Sequence, residues 1–228
     1  MSPPVKITFQ LTKTDLAIIT GLQEQIVAVV SFETTGDYIV IGAAFSPVGL
    51  TTTLEFFPQW TVYASEQAIT GGDSVSMHSH AAASLGKAYP YSDSGFGAGI
   101  AAYSQVAVGF INNTDQRICF GLAQPIRING RGVISPLAII AGPANQNSFL
   151  KPLPQVKIFL ATNLTSSQIQ PLSILRAPTA LPSKARTPGH QAHPLPPFTI
   201  GSYLEVDLTS NSTLRFDPIH NCFIQALP

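Results

Sequence analysis

The chain has 228 residues, of which 45% are hydrophobic and only 11% charged, with twelve basic residues balancing twelve acidic ones. Such a balance lacks the clustered Lys and Arg that neutralise phosphates, which argues against nucleic-acid binding, and it lacks the polybasic segment of a membrane-surface protein. No apolar run reaches the ~20 residues of a membrane-spanning helix, and the opening Met-Ser-Pro-Pro-Val-Lys carries no apolar signal-peptide core, so the expected location is cytoplasmic.

Short runs rich in β-branched and aromatic residues recur between turn residues, which is the pattern of strands. In chain order the predicted strands are Val5–Leu11, Gln25–Phe32, Tyr38–Phe45, Thr52–Phe57, Trp60–Ala64, Gln105–Ile111, Arg117–Ala123, Val133–Ala141, Gln155–Ala161, Ser202–Leu208 and Asn221–Ala226. One short helix is expected within Thr14–Gln25, with Asp15 near its start. Nineteen prolines and seventeen glycines leave little room for longer helices. Ser94–Gly99 reads as a flexible connector, and Gln170–Phe198, with seven prolines and the cations Arg176, Lys184 and Arg186, reads as a long surface loop.

Several blocks recur in the same order. Val27-Ala28-Val29 returns as Val106-Ala107-Val108, and Ile39–Ala43 as Ile118–Leu122. Phe57–Ala64 resembles Leu153–Ala161, and Ser84–Tyr89 resembles Thr199–Leu204. The expected fold is therefore all-β, an antiparallel sandwich or barrel-like fold with little helix, built from two diverged copies of one ~100-residue unit. The copies are residues 1–97 and 98–228, the second carrying the loop 170–198, and they pack as one unit.

Four of the five histidines are paired, His78 with His80 and His190 with His193. His78 lies eight positions before Gly86 and His193 eight before Gly201, so the pairs fall at matching places in the two copies. On a strand, residues two apart share a face, and two imidazoles on one face are half of a zinc or copper site. No further ligand motif accompanies them, and no cofactor is expected.

Asp37 and Asp115 occupy matching turns, where a carboxylate bonds its own backbone. Glu55, inside Leu54-Glu55-Phe56, is expected to face outward on an edge strand. Trp60 matches Val156 and is expected in the core. Cys119 and Cys222 lie in strand-like runs and read as packed thiols, and the Asn-x-Ser/Thr triplets at Asn112, Asn163 and Asn211 as chance in a Ser/Thr-rich chain. Tyr89 and Tyr91 flank Pro90 and precede Asp93, a pattern suited to stacking a sugar ring beside hydrogen-bonding groups.

Three functions follow from these residues. The first is a lectin-like, defence-type module binding a small molecule or glycan through Tyr89, Tyr91, Asp93, His78 and His193. The second is a cofactor-independent isomerase or cyclase of secondary metabolism using His78, His80, His190, His193 and Asp93, although no nucleophile elbow, phosphate loop or dinucleotide fingerprint supports an enzyme. The third is a self-assembling structural protein, with a homodimer as its simplest form.

Overall fold

A computed structural model describes residues 3–33, 36–102, 104–176 and 202–226. Strands make up 55% and helix 7% of it, as the dense β-branched runs and the prolines require.

The first strand, β1 (Val5–Gln10), alternates cleanly: Ile7 and Phe9 are buried, while Lys6 and Gln10 face water. Helix α1 (Lys13–Gly21) follows. It starts where it does because Thr12 and Asp15 form a capping box, each side chain accepting from the other residue's backbone N–H at 3.1 and 2.8 Å. β2 (Gln25–Phe32) is apolar on both faces and is buried on both. The predicted strand 38–45 is broken in two, β3 (Tyr38–Val40) and β4 (Ala43–Phe45). The break falls at Gly42, where a Cβ would sit 2.7 Å from the Leu137 side chain.

β5 (Thr51–Phe56), β6 (Trp60–Ser65), β7 (Ser79–Ala83), β8 (Lys87–Ser92), β9 (Gly95–Phe96) and β10 (Ile100–Ala101) complete the first hundred residues. β11 (Val108–Asn112) leads to the two longest strands, β12 (Ile118–Ile128) and β13 (Arg131–Gly142). β14 (Asn147–Leu150), β15 (Pro152–Ala161), β16 (Ile169–Pro171) and a 3-10 turn over Leu172–Arg176 follow. The chain ends with β17 (Leu204–Asp207), β18 (Ser212–Asp217) and β19 (Cys222–Gln225).

The β12–β13 hairpin organises everything else. One edge of β12 carries β13 along its whole length, while the other carries β6 over Cys119–Ala123 and β5 over Ile126–Ile128. The step from β5 to β6 is fixed by the Phe57 N–H, which donates to the Pro125 carbonyl at 3.1 Å, and by the Gln124 amide, which donates to the Phe57 carbonyl. A bulge opposite Leu122 and Ala123 leaves Leu137 unpaired and turns it into the core.

Two packed layers result. The β19-β18-β1-β5 end of the long sheet, with the far half of β12, covers the sheet β17-β15-β2-β4. The near half of β12, with β6 and β7, covers the sheet of β10, β8, β11 and β14. The back faces are closed by β3, β16 and the 3-10 turn, so Val27 and Phe159 lie in one further core and Tyr63 and Cys119 in another. Trp60 sits half-buried between the two main cores, edge-on to Phe32 with centroids 6.4 Å apart. Among the described residues, no helix is long and apolar enough to cross a membrane.

Several expectations change. The sheets are not wholly antiparallel, since β1 runs parallel to β18 and β8 to β11. Strands from before residue 97 pair with strands from after residue 98 throughout, β2 with β15 and β6 with β12 among them. The matched blocks also have unlike neighbours. β2 lies between β15 and β4, whereas its sequence match, β11, lies between β8 and β14. The pairing of these two blocks therefore does not repeat, and it lends no support to a duplicated unit. Ser94–Gly99 is no connector: it folds back on β8 and places Phe96 against Tyr91 and Phe120, with centroids 5.0 and 6.1 Å apart. Glu55 does face outward, but on an inner strand, registered between Lys6 and Arg127.

One carboxyl is placed at a cost. Glu24, 4% exposed, follows α1 and accepts from the Asn221 amide at 2.9 Å, while its second oxygen has no partner. Burial pushes its pKa up and the Asn221 bond opposes this. Because the folded chain holds this proton more tightly, the associated stability is complete below about pH 4.5 and is lost as pH rises through the folded value. Glu24→Gln is therefore expected to raise the melting temperature at pH 7, by the equivalent of about 1 kcal/mol, and to change nothing at pH 4. Thermal melts of both proteins at the two pH values check this, and an equal shift at both would contradict it.

Candidate functional site

The most featured concavity lies on the back of the β6–β12–β13 sheet. It is a cleft of about 520 Å³ with an apolar floor that includes Cys119, Ile139 and Tyr38. Three charged side chains line it: Asp37 from the turn before β3, Glu66 just after β6, and Arg117 just before β12. Each comes from a strand end, because the strands supply the apolar floor and the adjoining turns supply the polar groups.

All three are exposed, and among the described residues no ion pair joins Arg117 to Asp37 or Glu66. Glu66 instead has His78 Nε2 at 3.9 Å. Beneath them, Cys119 is a free, buried thiol. Burial pushes its pKa up, which Arg117 partly offsets. Tyr63, beneath the same surface, is fully buried and donates to the Ala138 carbonyl at 2.7 Å. Its pKa is driven well above the usual value, first by burial and then by Cys119.

The residues singled out in the sequence are scattered. His78 lies just before β7 and His80 within it, and both are exposed. His190 and His193 lie outside the described residues. Asp93 is exposed in the β8–β9 turn. Tyr89 and Tyr91, 6% and 9% exposed, point into the core. The Tyr89 hydroxyl accepts from the Ser84 N–H at 2.8 Å, and the Tyr91 ring packs edge-on to Phe120 at 5.5 Å. Neither ring offers a free stacking face, because a strand buries alternate residues and both fall on the inner side.

Asp37 lines the cleft, whereas Asp115 lies at another turn and accepts from the Asn145 amide at 3.2 Å. Cys222 is half-buried and free, and His220 beside it is held by Asp217, with Nδ1 to Oδ2 at 2.6 Å. That bond is the chief reason the Asp217 carboxyl is held below the usual carboxylate range. Asn112 is buried, and its amide donates to the carbonyls of Gln116, Gly142 and Pro143 at 2.8 to 3.1 Å, so it is a structural brace with no freedom to carry a glycan. Among the described residues, no three His, Cys, Asp or Glu side chains gather in a way that could hold a metal.

Glu66, Arg117 and Tyr38 carry no motif. They come from separate segments that meet only through the β6–β12 pairing and the folding of β3 over the sheet. Comparison with protein-family models, with curated proteins and with solved structures finds no match to this chain.

Proposed function

We propose that the chain is a small-ligand-binding β protein and that the cleft of Asp37, Glu66 and Arg117 is its binding site. The observation that carries this reading is the convergence of two carboxylates and one guanidinium over an apolar floor, in a volume of about 520 Å³. A concave apolar site with a few convergent polar groups is the usual form of a small-molecule pocket. Two acceptors and a multidentate donor suit a polyhydroxylated molecule, whose hydroxyls both give and take hydrogen bonds while its carbon skeleton covers the floor. A mono- or oligosaccharide fits that description.

A glycan array, paired with a small-polar-ligand screen by ligand-observed NMR, tests it. Charge-assisted hydrogen bonds contribute about 1.5–3 kcal/mol. Arg117→Ala and Glu66→Gln are therefore each expected to weaken a hit about tenfold to a hundredfold, with melting unchanged because both residues are exposed. Blank results in both screens, or a hit indifferent to both substitutions, would overturn the assignment.

A further inference from the structure

The β12–β13 hairpin carries a second feature, independent of the cleft. Its tip is a two-residue Asn129–Gly130 turn with both φ angles positive, at 50° and 81°, the geometry that matches strand twist. The tip is held on β5, where the Asn129 N–H donates to the Thr53 carbonyl at 3.0 Å and its side-chain oxygen accepts from the Thr53 N–H at 2.9 Å. That docking leaves the opposite edge outward. Arg131, Gly132, Val133 and Ile134 are consecutively exposed, Val133 at 53% and Ile134 at 45%. In a hairpin closed by the pair Ile128–Arg131, the backbone groups of Gly132 and Ile134 point away from β12. Among the described residues, no strand pairs with them.

Gly132 has no explanation within one chain. Its φ is not left-handed, and a Cβ there would meet nothing closer than Arg127 Cγ at 3.4 Å, an ordinary contact. Glycine within a strand weakens it, and commonly marks a place where another backbone approaches. Beside it lies a cleft of about 420 Å³ lined by Phe57, Pro125, Arg127 and Gly132, with the Arg127 guanidinium 4.7 Å over the Phe57 ring.

We propose that this edge pairs with the same edge of a second copy about a twofold axis. Gly132 and Ile134 exchange backbone hydrogen bonds with Ile134 and Gly132 of the second copy. Residues opposite one another in an antiparallel pair project from the same face. Each Ile134 therefore drops over the bare Gly132 of the other copy into the cleft beside Phe57, and the two Val133 side chains meet at the axis. The surface is its own complement, a knob two residues from a socket, which is what a twofold interface requires. Charge permits it: in this register the two Arg131 side chains stand four residues apart, about 13 Å, beyond the roughly 8 Å screening length, and the chain has a formal net charge of zero. This edge lies outside the ligand cleft, so the dimer does not depend on ligand binding there.

Light scattering coupled to size exclusion, on the full chain from about 1 µM to about 1 mM, is the test, a span covering about 4 kcal/mol of association free energy. The wild type is expected to shift reversibly from one to two chain masses. Gly132→Val fills the socket without an intrachain clash and should keep its melting temperature at low concentration while weakening dimerisation at least tenfold. Val133→Lys, which sets two cations at the axis, should do the same. The wild type alone supplies a further readout, since the amides of Gly132 and Ile134 should gain hydrogen-exchange protection as concentration rises. A monomer across the whole range, a dimer that survives both substitutions, open-ended larger assemblies, or a dimer in which those two amides exchange freely would each overturn the proposal.

Discussion

Gly121→Ala is expected to cost about 3 kcal/mol or more, among the larger penalties for overpacking. For a chain of this length that lowers the melting temperature by roughly 6–12 °C. Gly121 lies mid-strand in β12, with Tyr63 opposite it on β6 and Ile139 opposite it on β13. The hydroxyl end of the Tyr63 side chain lies against it, and an added methyl would collide with that end and with the Ala138 carbonyl. The same carbonyl takes the Tyr63 hydroxyl's hydrogen bond, and Tyr63 is fully buried, so neither side can move without breaking a buried polar contact. Thermal or urea unfolding of the variant measures the loss. In a Tyr63→Ala background the penalty should shrink without vanishing, because the carbonyl remains. A Gly121→Ala protein that melts within a degree or two of its parent would contradict the close packing described.

The second large effect is expected at Phe120. Its ring is fully buried and stacks on Phe110 at 5.3 Å with an interplanar angle of 8°. It also meets Tyr91 and Phe96 edge-on or tilted, at 5.5 and 6.1 Å. Phe120→Ala removes the centre of this cluster and should cost about 3–5 kcal/mol, combining lost burial with the cavity left behind. Phe120→Leu keeps most of the volume and should cost well under half of that. Equal losses for the two variants would mean that ring geometry, and not filled volume, decides the stability of this core. The exposed Phe149→Ala serves as a surface control and should stay within about 1 kcal/mol of the parent.

Much of the strand pattern was legible in the sequence, because burial leaves a local trace. The run Gln25–Phe32 has the continuous apolar stretch Ile26–Val30 and is a strand over the whole span, covered on both faces. Asp15, expected near the start of the helix, does sit in the first turn of α1, where it pairs reciprocally with Thr12. Strands made by their neighbours left no such trace. Ser79–Ala83 is a row of alanines after a histidine, and it becomes a strand only because β6 offers it an edge. Lys87–Ser92 holds Tyr89-Pro90-Tyr91, and parallel pairing with β11 makes it a strand with both rings inward.

The candidate site shows the same division more sharply. Asp37 stood out in the sequence as a turn acid, but nothing there linked it to Glu66 or Arg117, which lie far along the chain. Side-chain chemistry, strand-forming tendency and charge balance are properties of residues and their close neighbours, so the sequence by itself determined a β-rich chain with little helix and few, balanced charges. Which face each strand buries, which edge stays open at Gly132, and which three charged groups meet over Cys119 depend on contacts between distant segments. Only the tertiary structure decided those, because a strand takes its partners from the whole chain.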